Sequence, residues 1–144
     1  MDDWFCRRRI DLKITLTKSQ KKLLTDHAEN EKPNESCAIL FGIRDNTDSI
    51  VKEVFLTKNT AESPVNFTIS NEQLIEGYKI AEEKKMEIVG IFHSHPNSIA
   101  YPSETDKKFM IGNPVAWIIY SGISKEIKSF VLESEVLEIT TEIS

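Results

Sequence analysis

The sequence predicts a mixed α/β fold in which helices pack on a sheet. Segments typical of strands alternate with segments that carry helix-start signals, in the order β-α-β-β-α-β-α-β-β-β. Two continuous apolar runs of strand length, residues 36–43 and 115–122, indicate strands that are buried on both faces. The chain has 144 residues, the length of one ordinary domain, so we expect a single core. We assign residues 1–9 to an N-terminal tail and residues 10–144 to this domain.

The first predicted strand is followed by the first predicted helix. Residues 10–16 alternate apolar and polar side chains, the period-2 pattern of a half-buried strand. Thr17 and Gln20 then match a capping box, which predicts a helix that ends before Pro33. His27 lies on this helix among polar residues, so we expect an ordinary surface histidine there.

A hairpin and a loop occupy the next part of the chain. The apolar run 36–43 and the run 49–57 are separated by residues 44–48, which predicts two antiparallel strands joined by a turn. Residues 58–67 contain Pro64, which cannot donate a hydrogen bond to a central sheet ladder. We therefore expect a loop after the second strand of the hairpin.

The second half of the chain contains the remaining two helices and four strands. Ser70 and Gln73 match a second capping box, which opens an amphipathic helix that we expect to continue to about Met86. Ser103 opens a short third helix. The remaining strands are predicted at residues 87–95, 115–122, 126–133 and 135–143.

Charge and composition argue against several classes of function. Lys and Arg number 18 against 23 Asp and Glu, so the net charge of -5 provides no overall attraction for nucleic acid or an anionic membrane. No apolar run approaches the roughly 18 residues of a membrane span, and the N-terminus lacks the apolar stretch of a signal peptide. Cys6 and Cys37 cannot form a disulfide framework. We expect a soluble, cytoplasmic protein.

The most informative stretch is GIFHSHPNSIAYPSETDKKF, residues 90–109. Side chains at positions i and i+2 of a strand project to the same face, so His93 and His95 can reach one metal ion. A catalytic zinc has three protein ligands and one water, and Asp106 in the next helix qualifies as the third ligand. The histidine pair alone could be polar residues at a sheet edge, and the pattern of Ser103 and Asp106 alone could be a helix-capping box. Their combination predicts a metal site.

Hydrolysis at such a site also needs a base close to the metal. A carboxylate that does not bind the metal can carry the proton of the attacking water to a leaving amine. Glu35 stands directly before the buried strand 36–43 and is the candidate for this role. Its ordinary interpretation is a solvated residue at a strand end.

The segments NESCAILFG and GIFHSHPNSIAYPSETD together resemble the JAMM (MPN-plus) zinc metalloprotease domain. The resemblance spans about residues 10–140 and depends on a strand-flanking glutamate followed by His-x-His-x7-Ser-x2-Asp. It implies a cytidine-deaminase-like α/β fold, a single domain with a mixed sheet flanked by helices.

The same resemblance assigns roles to individual residues. It implies that zinc is bound by His93, His95 and Asp106. Glu35 is implied as the general acid/base, and Ser103 as a contributor to oxyanion stabilisation. Some family members have a long insertion after the motif helix and a second zinc, whereas four residues separate helix and strand here. We therefore expect one zinc per chain.

The resemblance also implies a function. We expect a deubiquitinase-like isopeptidase that hydrolyses the bond between the C-terminus of ubiquitin, or a ubiquitin-like modifier, and a lysine. Processing of a sulfur-carrier protein of ubiquitin-like fold is the alternative among enzymes, and a non-catalytic MPN interaction module is the alternative outside them. Proteasome-like machinery is a further expected partner.

The loop at residues 58–67 corresponds in position to the family's flexible flap beside the site. An extended modifier tail could pair with this loop as an added strand through main-chain hydrogen bonds. Pro64, Val65, Asn66 and Phe67 are the expected substrate-binding residues.

Overall fold

A computed structural model describes residues 12–144 of the chain. Within this range the order of strands and helices matches the predicted order. The assigned tail, residues 1–9, lies outside the described residues. The elements are β1 (Lys13–Leu16), α1 (Lys18–Glu31), β2 (Cys37–Asp45), β3 (Asp48–Thr57), α2 (Asn71–Glu83), β4 (Glu87–His95), α3 (Glu104–Gly112), β5 (Ala116–Ser121), β6 (Ile127–Leu132) and β7 (Val136–Ile143).

The strands of the described range form one sheet in the order β1-β3-β2-β4-β5-β6-β7. β1 pairs in parallel with both β3 and β7, so the sheet closes on itself. β4 and β5 are also parallel, whereas the other neighbouring strands are antiparallel. The predicted mixed sheet is confirmed, and its closure is an addition that the sequence patterns did not indicate.

The helices cover both faces of this sheet. Successive strand residues point to opposite faces, and Leu40 and Phe41 of β2 accordingly belong to two different apolar clusters. α1 packs on one face through Leu24 and Ala28. α2 packs over β2 and β3 on the other face, and α3 contributes Met110 to a cluster over β5 and β6. None of the helices described here has the length and apolar character to cross a membrane.

The β2–β3 hairpin contains one close backbone approach and a tight turn. The pairing register shifts immediately before Gly42, where an added Cβ would lie 1.9 Å from the carbonyl oxygen of Ile50. Glycine is therefore required at this bulge. The strands continue further than predicted, so the turn is shorter than residues 44–48 and consists of Asn46 and Thr47. Asn46 has a φ of 57°, a left-handed conformation that asparagine tolerates better than most residues.

The prediction that His27 is an ordinary surface histidine is wrong. The side chain is half-buried, and its Nε2 atom lies 3.2 Å from the carbonyl oxygen of Cys37 and 3.1 Å from that of Thr57. The polar neighbours of His27 in the sequence obscured the fact that this side of α1 faces the ends of β2 and β3.

The start and end of α2 also differ from the prediction. Ser70 caps the helix by accepting from the Gln73 N–H at 3.2 Å, as expected. The Gln73 side chain does not complete the box, because its Oε1 accepts from the Lys58 N–H at 2.9 Å. The helix ends at Glu83 rather than near Met86. The Lys58 N–H, which lies outside the helix, therefore occupies the Gln73 oxygen that a complete capping box would use.

Candidate metal centre

β4 ends with two buried histidines on one face. His93 is fully buried and His95 is 4% exposed. Their Nε2 atoms lie 3.1 Å apart. His95 Nδ1 lies 2.8 Å from the carbonyl oxygen of Ile99 and must donate to it, because a carbonyl oxygen can only accept. In the neutral ring this bond leaves the Nε2 lone pair free for a metal ion.

The start of α3 brings a carboxylate to the same point. The Ser103 hydroxyl accepts from the Asp106 N–H at 3.0 Å, and the Ser103 N–H donates to Asp106 Oδ2 at 2.9 Å. This reciprocal cap holds the buried Oδ2 3.0 Å from the Nε2 atoms of both His93 and His95. The structure therefore brings the three predicted ligands together.

The donor set suits zinc. Within residues 12–144, His93, His95 and Asp106 form a group of side chains close enough to share one ion. Ligand atoms about 2.1 Å from a tetrahedral zinc are about 3.4 Å apart, close to the observed separations of 3.0 and 3.1 Å. Two imidazole nitrogens and one carboxylate oxygen are also the donors of one class of catalytic zinc sites. The residues present fit the metal that the sequence predicted.

The charges of these side chains favour a bound cation. Burial alone would raise the pKa of Asp106, but its hydrogen bonds with His93 and His95 lower that pKa far below the usual range. Burial lowers the pKa of His93. Burial also acts to lower the pKa of His95, but hydrogen bonds with Asp106 and the Ile99 carbonyl raise it overall. An anionic carboxylate thus lies between two imidazoles, where a proton and a metal ion compete.

Glu35 lies next to this cluster. The antiparallel register places Cys37 opposite His93, which brings Glu35 beside His95. Glu35 is 3% exposed, and its Oε1 has no hydrogen-bond partner among the described residues. Burial raises the pKa of Glu35 to about 8, an effect that the charge of His95 reduces and that of Asp106 increases. The carboxyl group is thus buried, available and close to the ligands.

A pair of buried serines connects the strands that carry the site. Ser36 donates to Ser94 Oγ twice, from its N–H at 2.8 Å and from its hydroxyl at 2.9 Å. The Ser94 N–H donates to the Ser36 carbonyl at 3.2 Å. Ser36 follows Glu35, and Ser94 separates His93 from His95, so the pair fixes the spacing between the carboxyl group and the imidazoles. The patterns used for prediction did not indicate this pair; the signal in the sequence was the presence of polar residues in two apolar runs.

Ser103 is exposed at the edge of the cluster. Its hydroxyl oxygen accepts the capping hydrogen bond from the Asp106 N–H. A hydroxyl group also has one hydrogen to donate. The capping bond therefore leaves the predicted donation to an oxyanion possible, and the two interpretations of the Ser-x-x-Asp pattern are compatible.

Two aromatic rings pack around His93. The Phe67 ring stacks on the imidazole with centroids 5.0 Å apart and an interplanar angle of 26°, and Trp117 contacts it edge-on at 5.8 Å. Trp117 is 1% exposed and belongs to the core. Residues 64–66 are exposed. Of the predicted substrate-binding residues, Phe67 contacts the metal centre and the other three face solvent.

Comparisons with known proteins identify relatives of this chain. Residues 17–133 match the family described as prokaryotic homologs of the JAB domain. The chain is 34% identical over 101 residues to a desampylase of Pyrococcus furiosus, a match that covers 70% of this chain and 69% of the relative. It is 27% identical over 95 residues to a CysO-cysteine peptidase of Mycobacterium tuberculosis, covering 66% of this chain and 64% of the relative.

Solved structures share the fold. The solution structure of protein DSY2949 from Desulfitobacterium hafniense is similar with a TM-score of 0.82 and 31% identity, covering 91% of this chain and 92% of that one. A protein from Salinibacter ruber has a TM-score of 0.68 at 22% identity and 90% coverage of both chains, which supports the fold alone. The family match spans the predicted site and confirms the resemblance to JAMM domains. The chain therefore belongs to the prokaryotic homologues of the JAB domain.

Proposed function

We propose that this protein is a zinc-dependent hydrolase that cleaves the isopeptide bond between the C-terminus of a ubiquitin-like modifier and a lysine side chain. The observation that carries the proposal is the convergence of His93, His95 and Asp106 beside the buried Glu35 carboxyl group. The relatives named desampylase and CysO-cysteine peptidase support a hydrolytic role.

In this proposal each group of the site has a task. Zinc bound by His93, His95 and Asp106 would polarise the scissile carbonyl and lower the pKa of its bound water to about 7. Glu35 accepts a proton from the attacking water and passes it to the leaving lysine amine. Burial raises the pKa of the Glu35 carboxyl to about 8 in the metal-free site, and the charge of a bound cation would lower it, which would leave an ionised carboxylate to accept the proton. Ser103 donates its hydroxyl hydrogen to the oxyanion that develops on the carbonyl.

Residues 64–67 at the end of the loop form the substrate-facing wall in this proposal. Pro64, Val65 and Asn66 are exposed, so an extended modifier tail can approach this part of the loop. Phe67 packs on His93 on another side of the ligand cluster.

The proposal also includes a location and a partner. The enzyme acts in the cytoplasm and cooperates with proteasome-like machinery, and co-purification tests this cooperation.

Processing of a sulfur-carrier protein is the second candidate. The reaction would remove a peptide or cysteine from the C-terminus of a carrier with a ubiquitin-like fold, using the same residues in the same roles. The similarity to CysO-cysteine peptidases favours this candidate.

Product analysis with two matched substrates tests the proposal and separates the candidates. The first substrate is a modifier joined to a lysine side chain, and the second is the same modifier with a short C-terminal peptide extension. We expect the zinc-loaded protein to release the modifier from lysine, as measured by product mass, and Glu35→Gln to serve as the control for contaminating proteases. Cleavage of the extension alone would support the second candidate. Cleavage of neither substrate with zinc bound would indicate a non-catalytic interaction module.

The same assay tests the mechanistic alternative, in which a cysteine is the nucleophile. Cys37 is fully buried, and burial raises the pKa of its thiol to about 11, so it is a poor nucleophile. Cys6 lies outside the described residues. We expect a zinc chelator to abolish cleavage and native-state thiol alkylation to leave it intact, and the opposite pattern would overturn the metal mechanism.

A further inference from the structure

One buried side-chain amide joins the loop after β3 to the backbone of Glu35. Asn59 is 3% exposed and lies two residues after the end of β3. Its Nδ2 donates to the carbonyls of Glu35 at 3.0 Å and Asn66 at 2.9 Å. Its Oδ1 accepts from the N–H groups of Ala61 and Thr68, both at 3.0 Å. The amide of Asn59 is thus used as donor and acceptor at once.

We propose that Asn59 is a positioning residue of the reaction: it holds the Glu35 carboxyl group and the Phe67 ring in place on two sides of the ligand cluster. This inference goes beyond the roles assigned above and rests on the proposed function.

The contacts of Glu35 show how the first of these positions is held. The Glu35 N–H donates to the Ser63 carbonyl at 2.8 Å, and the Glu35 carbonyl accepts from Asn59. Asn59 Nδ2 also lies 3.4 Å from the Ser63 carbonyl oxygen. Both backbone polar groups of Glu35 are therefore attached to the loop that Asn59 organises. The Glu35 side chain has no partner for Oε1 among the described residues, so its direction depends on this backbone anchoring.

The contacts of Phe67 show how the second position is held. Its two chain neighbours, Asn66 and Thr68, both bond to the Asn59 amide, the first through a carbonyl and the second through an N–H. The ring between them stacks on His93. Fixing the backbone on either side of Phe67 fixes the ring against the imidazole.

The chemistry of the amide explains why asparagine is needed. Aspartate keeps the acceptor for Ala61 and Thr68 but has no N–H to donate to Glu35 and Asn66. Alanine loses both halves of the network. Thr60, the next residue, provides a matched control, because its hydroxyl donates to the Thr68 carbonyl at 3.1 Å in an exposed position without contacting Glu35.

Steady-state kinetics on Asn59→Asp, Asn59→Ala and Thr60→Val test the positioning role. A displacement of about 1 Å in a reacting group lowers rates by about 10²-fold, so we expect kcat to fall about 10- to 100-fold in both Asn59 variants, with zinc content unchanged. Thr60→Val should retain kcat within about two-fold. In a Glu35→Gln background, Asn59→Ala should cause a smaller further loss than in the unaltered protein, because one of the two groups that it positions, the carboxyl group, is already inactive.

Amide hydrogen exchange provides a readout that needs neither zinc nor cleavage. In chelator-treated protein we expect faster exchange at Glu35 in both Asn59 variants, while the Ala61 and Thr68 amides stay protected in Asn59→Asp and lose protection in Asn59→Ala. Thr60→Val should leave the Glu35 amide unchanged. An unchanged kcat with only a lower thermal midpoint, or unchanged exchange at Glu35, would overturn the positioning role. If the unaltered protein cleaves nothing, the proposed function fails, and the exchange pattern alone then decides whether Asn59 anchors Glu35.

Discussion

The first and third helices begin with the same local motif, yet one of the two motifs lies in the candidate metal centre. At α1 the Thr17 hydroxyl accepts from the Gln20 N–H at 3.1 Å, and Gln20 Oε1 accepts from the Thr17 N–H at 2.9 Å. At α3 Ser103 and Asp106 make the corresponding bonds at 3.0 and 2.9 Å. As helix caps the two arrangements are equivalent.

The difference lies in what the third helical residue faces. Gln20 uses its remaining amide group to donate to the carbonyl of Val51 at 3.1 Å. Asp106 is buried, and the oxygen that completes its cap also faces the imidazoles of His93 and His95. A carboxylate between two imidazoles can share a cation, whereas an amide bonded to one carbonyl only anchors a helix. The residues of the neighbouring strand, and not the capping box itself, therefore determine whether the box takes part in a functional site.

The largest effect should come from neutralising the shared carboxylate. Asp106→Asn keeps the size of the side chain and an oxygen for the cap but removes the charge that binds the cation. We expect it to lose stoichiometric zinc and all measurable cleavage, as determined by metal analysis and rate. The matched change at α1, Gln20→Glu, should leave both within about two-fold. Retention of about one zinc by Asp106→Asn would show that this carboxylate is not a ligand.

Removing the two capping hydroxyls should separate helix stability from reaction rate. Ser103→Ala and Thr17→Ala each lose one capping bond and should lower the free energy of unfolding by about 1 kcal/mol. Ser103→Ala should also slow cleavage about 10²–10³-fold with zinc retained, the usual cost of removing one oxyanion donor. Denaturant unfolding and cleavage rates on both variants provide the comparison. Equal rates for the two variants would restrict Ser103 to capping.

Acid should weaken zinc binding at the site beside α3. The capping box at α1 contains no titratable group and should not respond to pH. The raised pKa of His95 means that a proton occupies this imidazole more readily than usual as pH falls, whereas the lowered pKa of His93 keeps that ring neutral. One proton is then displaced by each metal ion, so affinity should fall about ten-fold per pH unit once the pH drops below the pKa of His95, which is raised from its ordinary value of 6.5. Competition titration with a zinc indicator at a series of pH values measures this affinity. A constant affinity between pH 7 and 5 would contradict the assigned ligands.

The smallest effect is expected at Glu29, near the end of α1. Hydrogen bonds from Tyr120, Lys125 and Lys32 lower the pKa of Glu29 to about 2. Because the folded-state pKa is depressed, the contribution is present above the ordinary pKa of about 4.5 and is lost as pH falls toward 2. The side chain is 38% exposed, so solvent screening limits the contribution to less than ~1 kcal/mol. Glu29→Gln should therefore lower the free energy of unfolding slightly at pH 7, with unchanged zinc content, and the difference should vanish in urea titrations near pH 2.

Local patterns predicted the elements and ligands because these depend on residues close in sequence. The bounds of β4 at Glu87–His95 are those predicted, since an apolar run of strand length ends there in polar residues. The Ser103 cap was likewise readable from four consecutive residues. The candidate ligands His93, His95 and Asp106 lie within one strand–loop–helix unit, so the sequence was sufficient to group them.

Contacts between distant segments were not predictable in this way. The closure of the sheet depends on the parallel pairing of Lys13 with Thr140, and a period-2 pattern contains no information about partner or register. Asn59 appeared as one polar residue in a loop, and its role depends on Glu35, 24 positions away. His27 was misassigned for the same reason, since its partners lie on two strands outside its own helix.

The central claim is that Glu35 moves protons beside a metal that three other side chains hold. Glu35→Gln tests it most directly, because glutamine keeps the size and shape of the side chain and removes its basicity. We expect this variant to keep about one zinc per chain and an unchanged thermal midpoint while losing about 10²–10⁴-fold in cleavage rate. Cleavage at the rate of the unaltered protein, or loss of the zinc, would contradict the account.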